Sequence, residues 1–101
     1  MTLAEFEQAA QAGRRPEGLS GALEALWWDA RGDWDQAHDR AQAAGDVSGA
    51  WVHAYLHRRE GDLGNAAYWY RRAGRPVASG PLPAEWRQIA AELLGQPASE
   101  G

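Results

Sequence analysis

The sequence predicts an all-α fold in which antiparallel helix hairpins stack as a short α-solenoid. Apolar residues recur at the three-to-four-residue spacing of amphipathic helices. Residues that favour strands are scarce, with three Val and one Ile in 101 residues. Gly or Pro interrupts the chain about every 12 to 15 residues, as expected of helices joined by short turns. A chain of this length forms one domain, placed here at residues 1–95 and followed by a flexible tail at 96–101.

Capping residues and breakers place the first three helices. Thr2 and Glu5 have the spacing of a capping box, and Gly13 ends the helix that they begin. The second helix follows a Pro- and Gly-containing loop and stops at Gly32. Asp33 is the predicted N-cap of the third helix. These helices are expected at about residues 2–12, 20–31 and 33–44.

The second half of the chain shows the same pattern of helix caps and helix breakers. Gly61 separates the fourth helix from the fifth, and Asp62 is the predicted cap of the fifth. Gly74 and Pro76 end the fifth helix and begin a Gly- and Pro-rich loop. These helices are expected at about residues 48–60, 62–73 and 83–94.

The chain also contains an internal repeat. Residues 32–37, Gly-Asp-Trp-Asp-Gln-Ala, align with residues 61–66, Gly-Asp-Leu-Gly-Asn-Ala, at an offset of 29 residues. A helix pair repeated at a fixed offset is typical of α-solenoids. The two predicted units span about residues 19–45 and 48–76.

The second unit carries a family resemblance. Its segment GDLGNAAYWYRRAGRP, residues 61–76, has Gly-Asp at the inter-helix turn, small Ala66, aromatic Tyr70, then Ala73 and Pro76. This pattern resembles the tetratricopeptide superfamily, and residues 66–73 also resemble the related Sel-type repeat. The resemblance implies stacked helix pairs, with helices 2–12 and 83–94 as caps. It further implies a scaffold that binds peptides or proteins.

Composition excludes several function classes. The net charge of −4 argues against nucleic-acid or membrane partners, which favour basic surfaces. The absence of Cys and Lys excludes thiolate and Schiff-base chemistry, and no catalytic motif is visible. We therefore expect a non-enzyme without a cofactor. The acidic start, without an apolar run, predicts a cytoplasmic protein, and the Lys-free, Arg-rich composition suggests a bacterial source.

The chain is unusually rich in Trp, with six residues, and two groups of three residues that contain aromatic side chains are candidate partner-binding sites. The resemblance implies that the first helix of each unit lines a concave groove, which would contain Trp51, Tyr55 and Arg58. Such residues are enriched at binding hot spots, but they can equally pack against the N-terminal helices. The second trio, on the outer face of the fifth helix, is Tyr68, Trp69 and Arg72. The favoured interpretation has the sixth helix cover that face through Trp86, Ile89 and Leu93; the alternative is an exposed anchor.

His53 and His57 lie four residues apart and therefore on one helix face. The repeat aligns them with Glu24 and Trp28, and His38 lies in the neighbouring helix. These residues are a candidate ligand or metal site. The favoured interpretation is structural, with histidines packed on Trp and hydrogen-bonded to Glu24.

The sequence thus predicts a small non-catalytic protein-interaction module whose partner is a protein or peptide. Two alternatives remain open: a small-ligand or metal-binding protein, and a structural homodimer that buries its aromatic faces against a second copy.

Overall fold

A computed structural model describes residues 1–95, and this part of the chain contains six α-helices and no strand. The helices are α1 (Leu3–Gln11), α2 (Gly21–Ala30), α3 (Trp34–Ala44), α4 (Val47–Glu60), α5 (Leu63–Ala73) and α6 (Leu82–Gly95). The predicted all-α class is confirmed, and each predicted helix is present with its ends displaced by at most one residue. The predicted tail at 96–101 lies outside the described residues.

Side-chain caps set the helix starts. Thr2 and Glu5 form the reciprocal capping box of α1, with distances of 3.1 and 2.8 Å. Asp33 and Asp62 accept hydrogen bonds from the third residues of α3 and α5, so the two aligned positions have the same role. Asp46 caps α4 through the Gly49 amide at 2.7 Å, which starts that helix one residue earlier than predicted.

α4 is the centre of the molecule. α2–α3 and α4–α5 form two helical hairpins, and α4 also packs against α2, α3 and α6. Gly49 permits a close approach of α3, because a Cβ there would lie 2.8 Å from the Ala41 carbonyl oxygen and from the Ala44 Cβ. The largest fully buried side chains come from several helices: Phe6, Leu26, Val52, Tyr55, Leu56, Tyr70 and Ile89.

α6 lies against α1, α2 and α4. The ring of Trp86 stacks on Phe6 at 5.5 Å, and its Nε1 donates to the Leu26 carbonyl oxygen at 3.0 Å. α6 therefore occupies the side of α2 and α4 that the family resemblance assigns to a partner groove. None of the helices within residues 1–95 has the length and apolar character needed to cross a membrane.

Candidate functional site

The first predicted partner trio lies inside the fold. Trp51 is 5% exposed, and the guanidinium of Arg75 lies 3.7 Å above its ring. Tyr55 is fully buried and donates to the Asp29 carboxylate at 3.0 Å. Burial raises the pKa of both the Tyr55 hydroxyl and the Asp29 carboxyl above their ordinary values. Both side chains therefore contribute mainly to packing, and each borders a small surface cleft, of about 340 Å³ beside Trp51 and about 320 Å³ beside Tyr55.

Arg58, the third member, links α4 to α6. It donates to the buried carboxylate of Glu85 at 2.6 Å and to the Gly80 carbonyl. Glu85 also accepts a hydrogen bond from the Tyr70 hydroxyl, and burial followed by this bond raises the Tyr70 pKa. The trio packs against α6 as well as the N-terminal helices, so the groove interpretation is corrected to an internal network.

The second trio is at the surface. Tyr68 is 45% exposed and Arg72 is exposed, while Trp69 is half-buried. The favoured sequence interpretation, that α6 covers this face, is wrong, because Trp86 packs on Phe6 and Ile89 lies in the core. The physical reason is that the apolar side chains of α6 are buried in the core that α1, α2 and α4 share.

A cleft of about 550 Å³ adjoins the second trio. Trp69 and Arg72 line one side, and the α3–α4 turn, including Val47, lines the other. The buried Ala41 and Ala50 also line it, together with the polar side chains of Gln42, Asp46 and His53. Val47 is 63% exposed, so apolar surface continues from the cleft onto its rim.

His53 lines this cleft and belongs to a cluster of all three histidines. The ligand-capable atoms of His38, His53 and His57 are within 4.8 Å of one another. His38 Nε2 and His53 Nε2 are 2.9 Å apart, so the pair shares one hydrogen bond. His53 and His57 are buried, whereas His38 is partly exposed. The cluster links α3 to α4, and His38 is its solvent-accessible member.

Two tryptophans hold the imidazole rings. Trp69 stacks on His53 with ring centres 4.0 Å apart, and Trp34 stacks on His38 at 4.9 Å. Trp34 is itself fixed, because its Nε1 donates to the Leu56 carbonyl oxygen at 3.0 Å. The rings of His38 and His53 are thus each packed against an indole.

Hydrogen bonding and burial set the chemical state of the cluster. Glu60 Oε2 lies 2.7 Å from His57 Nδ1. When Nδ1 donates to that carboxylate, the neutral ring keeps a free lone pair on Nε2. Burial, with the neighbouring His38 and His57, lowers the pKa of His53 to about 4. His53 is therefore neutral at pH 7.

The structure separates Glu24 and Trp28 from the histidines. The Glu24 carboxylate is 3.2 Å from Arg15 and 3.8 Å from Arg40, and Trp28 packs against Trp27 and Arg15. The predicted set of Glu24, His53 and His57 is thus replaced by the three histidines. Trp34 and Glu60 were missed as neighbours of the cluster. Both had a sequence signal, since Trp34 precedes His38 by four residues and Glu60 follows His57 by three.

Comparisons of the chain with protein-family models, curated proteins and solved structures found no match.

Proposed function

We propose that this chain is a small, non-catalytic protein-interaction module of the cytoplasm, built on a tetratricopeptide-like repeat. It binds a peptide segment in which an aliphatic side chain lies next to a carboxylate. The binding surface is the second trio, Tyr68, Trp69 and Arg72, with the adjoining cleft. The observation that carries the proposal is the stacking of Arg72 on Tyr68 and Trp69 at the surface, beside a cleft that Trp69 and Arg72 line.

Arg72 supplies the polar anchor. Its guanidinium lies 5.7 Å from the Tyr68 ring centre and 5.3 Å from the Trp69 ring centre, and it donates to the Tyr68 hydroxyl. Within residues 1–95 no carboxylate pairs with Arg72, whereas Arg58 and Arg75 both have carboxylate partners. A stacked guanidinium is oriented in advance, so a bidentate ion pair costs less side-chain entropy.

The cleft supplies the apolar anchor. Trp69 and the exposed Val47 line the cleft and give an aliphatic side chain an apolar surface to cover, with the buried Ala41 and Ala50 behind it. Burying such a side chain contributes about 1.5–3 kcal/mol. A carboxylate next to that side chain reaches Arg72, which lines the same cleft.

The two repeat units differ at this face. The positions aligned with Tyr68, Trp69 and Arg72 are Asp39, Arg40 and Ala43. The equivalent Asp33 and Asp62 caps support a shared scaffold, and at these three outer positions the second unit has two aromatic residues where the first has none. This difference favours recognition at α5 over a purely structural role for its aromatic residues.

The test is selection of peptides from a random heptapeptide phage library on the immobilised wild-type protein. We expect enrichment of sequences with an aliphatic residue beside Asp, Glu or a free C-terminus. Binding of the selected peptides, followed by Trp fluorescence, should weaken at least tenfold in Tyr68→Ala and in Arg72→Ala. Arg71→Ala is the matched control, because Arg71 is an exposed neighbour on the same helix.

The proposal is wrong if no peptide family is enriched, or if Arg71→Ala and Arg72→Ala weaken binding equally. Light scattering during gel filtration tests the homodimer alternative. A dimer that Tyr68→Ala converts to a monomer would make a second copy the occupant of this surface and would overturn the peptide proposal.

A further inference from the structure

We propose that His38, His53 and His57 form a binding site for one Zn²⁺ ion, with water in the fourth position. The inference does not rest on the proposed peptide function, since the imidazole nitrogens carry it, although the two sites adjoin: His53 lines the cleft and stacks on Trp69. The histidines come from two helices, α3 and α4, that pack directly against each other.

The distances are close to those of a tetrahedral site. Zn–N bonds of 2.0–2.1 Å place two imidazole nitrogens about 3.3 Å apart. His38 Nε2 and His53 Nε2 are already 2.9 Å apart, and the third histidine lies within the 4.8 Å limit of the cluster. Replacing the shared proton of the His38–His53 pair with Zn²⁺ therefore requires small side-chain movements.

The ligand chemistry favours Zn²⁺. Three neutral imidazoles suit borderline ions such as Zn²⁺ and are poor ligands for Mg²⁺ or Ca²⁺, which prefer oxygen. The ring of His53 is buried, and both His57 at 4.8 Å and Trp69 at 4.0 Å stack with it. The partly exposed His38 gives the ion a route from solvent.

Glu60 completes the arrangement around the ligands. Its carboxylate lies 2.7 Å from His57 Nδ1, and when Nδ1 donates to it, Nε2 is the nitrogen left to bind a metal ion. A carboxylate–histidine–metal arrangement is common around zinc, and loss of the carboxylate typically weakens metal binding 10- to 100-fold. Glu60 is thus a positioning residue for the metal.

The test is isothermal titration of EDTA-stripped, tag-free, full-length protein with ZnCl₂ at pH 7.5, with thermal unfolding measured in parallel. We expect one Zn²⁺ per chain. At a free Zn²⁺ concentration a hundredfold above Kd, the melting temperature should rise by roughly 10 °C or more. His38→Gln and His57→Gln should abolish this binding, and Glu60→Gln should weaken it at least tenfold.

Glu24→Gln is the matched control and should bind Zn²⁺ like the wild type, because Glu24 pairs with Arg15 and Arg40. Absence of stoichiometric uptake by the wild type would overturn the proposal. So would retained binding in His38→Gln with loss in Glu60→Gln, which would place the ion on His57, Glu60 and Asp62, a second group of neighbouring ligands. If a histidine variant does not fold, ¹⁵N NMR of the wild-type imidazoles decides: three Nε2 resonances must shift on Zn²⁺ addition.

Discussion

Adding one methyl group at Gly49 tests the close contact between α3 and α4. An alanine Cβ would lie 2.8 Å from the Ala41 carbonyl oxygen and 2.8 Å from the Ala44 Cβ. Non-bonded carbon atoms prefer about 3.5–4.0 Å, so the helices must separate by about 0.7 Å or more. Neither obstructing atom is the end of a flexible side chain. Overpacking of this kind costs about 1–3 kcal/mol, so Gly49→Ala should lower the melting temperature by roughly 5–20 °C.

Gly64→Ala is the control for this measurement. Gly64 also lies in the first turn of a helix with an Asp cap, but nothing lies within 4 Å of the added Cβ. The backbone entropy of the unfolded chain should then dominate, giving a gain of about 0.5–1 kcal/mol and a rise of roughly 2–8 °C. Thermal unfolding followed by circular dichroism measures both variants. A Gly49→Ala protein that melts at or above the wild-type temperature would refute the packing argument.

Two further predictions concern buried charges. Arg58→Ala should lower the free energy of unfolding by about 3 kcal/mol, because it leaves the buried Glu85 carboxylate without its cation. Urea unfolding measures this loss, and the control Arg71→Ala should change stability little. Equal stability of the two variants would contradict the role of the Arg58–Glu85 pair. Asp29→Asn should be at least as stable as the wild type at pH 7, because burial raises the Asp29 pKa above its unfolded value of 3.8. Ionisation of Asp29 therefore opposes folding at neutral pH, and this cost disappears as the pH falls through the raised pKa. The stability difference between the two proteins should narrow from pH 7 towards pH 4. A wild type more stable than Asp29→Asn at pH 7 would contradict the conclusion that ionisation of Asp29 destabilises the fold.

Local signals in the sequence were sufficient for the helices but not for their packing. Asp33 and Asp62 act on amides three residues away, so their spacing alone predicts the helix starts. The position of α6 depends on contacts such as Trp86 to Leu26, which are 60 residues apart. The amphipathic pattern of α6 shows that one face is buried, but it does not indicate whether α5 or α4 covers that face.

The same distinction explains the candidate site. The four-residue spacing of His53 and His57 correctly places them on one face of α4. The repeat alignment pairs positions on α2 with positions on α4, and this favoured Glu24 as their neighbour. In the structure α3 supplies the third member instead, since Gly49 allows α3 and α4 to pack closely. The sequence pattern therefore does not predict how the helices cross, and so it does not predict which helix lies beside α4.

The position of α6 also determines what a free peptide would have to displace in order to bind at the α2–α4 face. Because residues 74–81 connect α5 to α6 directly, α6 is a tethered ligand of this surface, with an effective concentration in the millimolar range. A free peptide would have to displace Trp86 from Phe6 and from the Leu26 carbonyl before it contacted Tyr55. The face that the family resemblance assigns to a partner groove is thus occupied intramolecularly, and the proposed peptide surface lies on α5 instead.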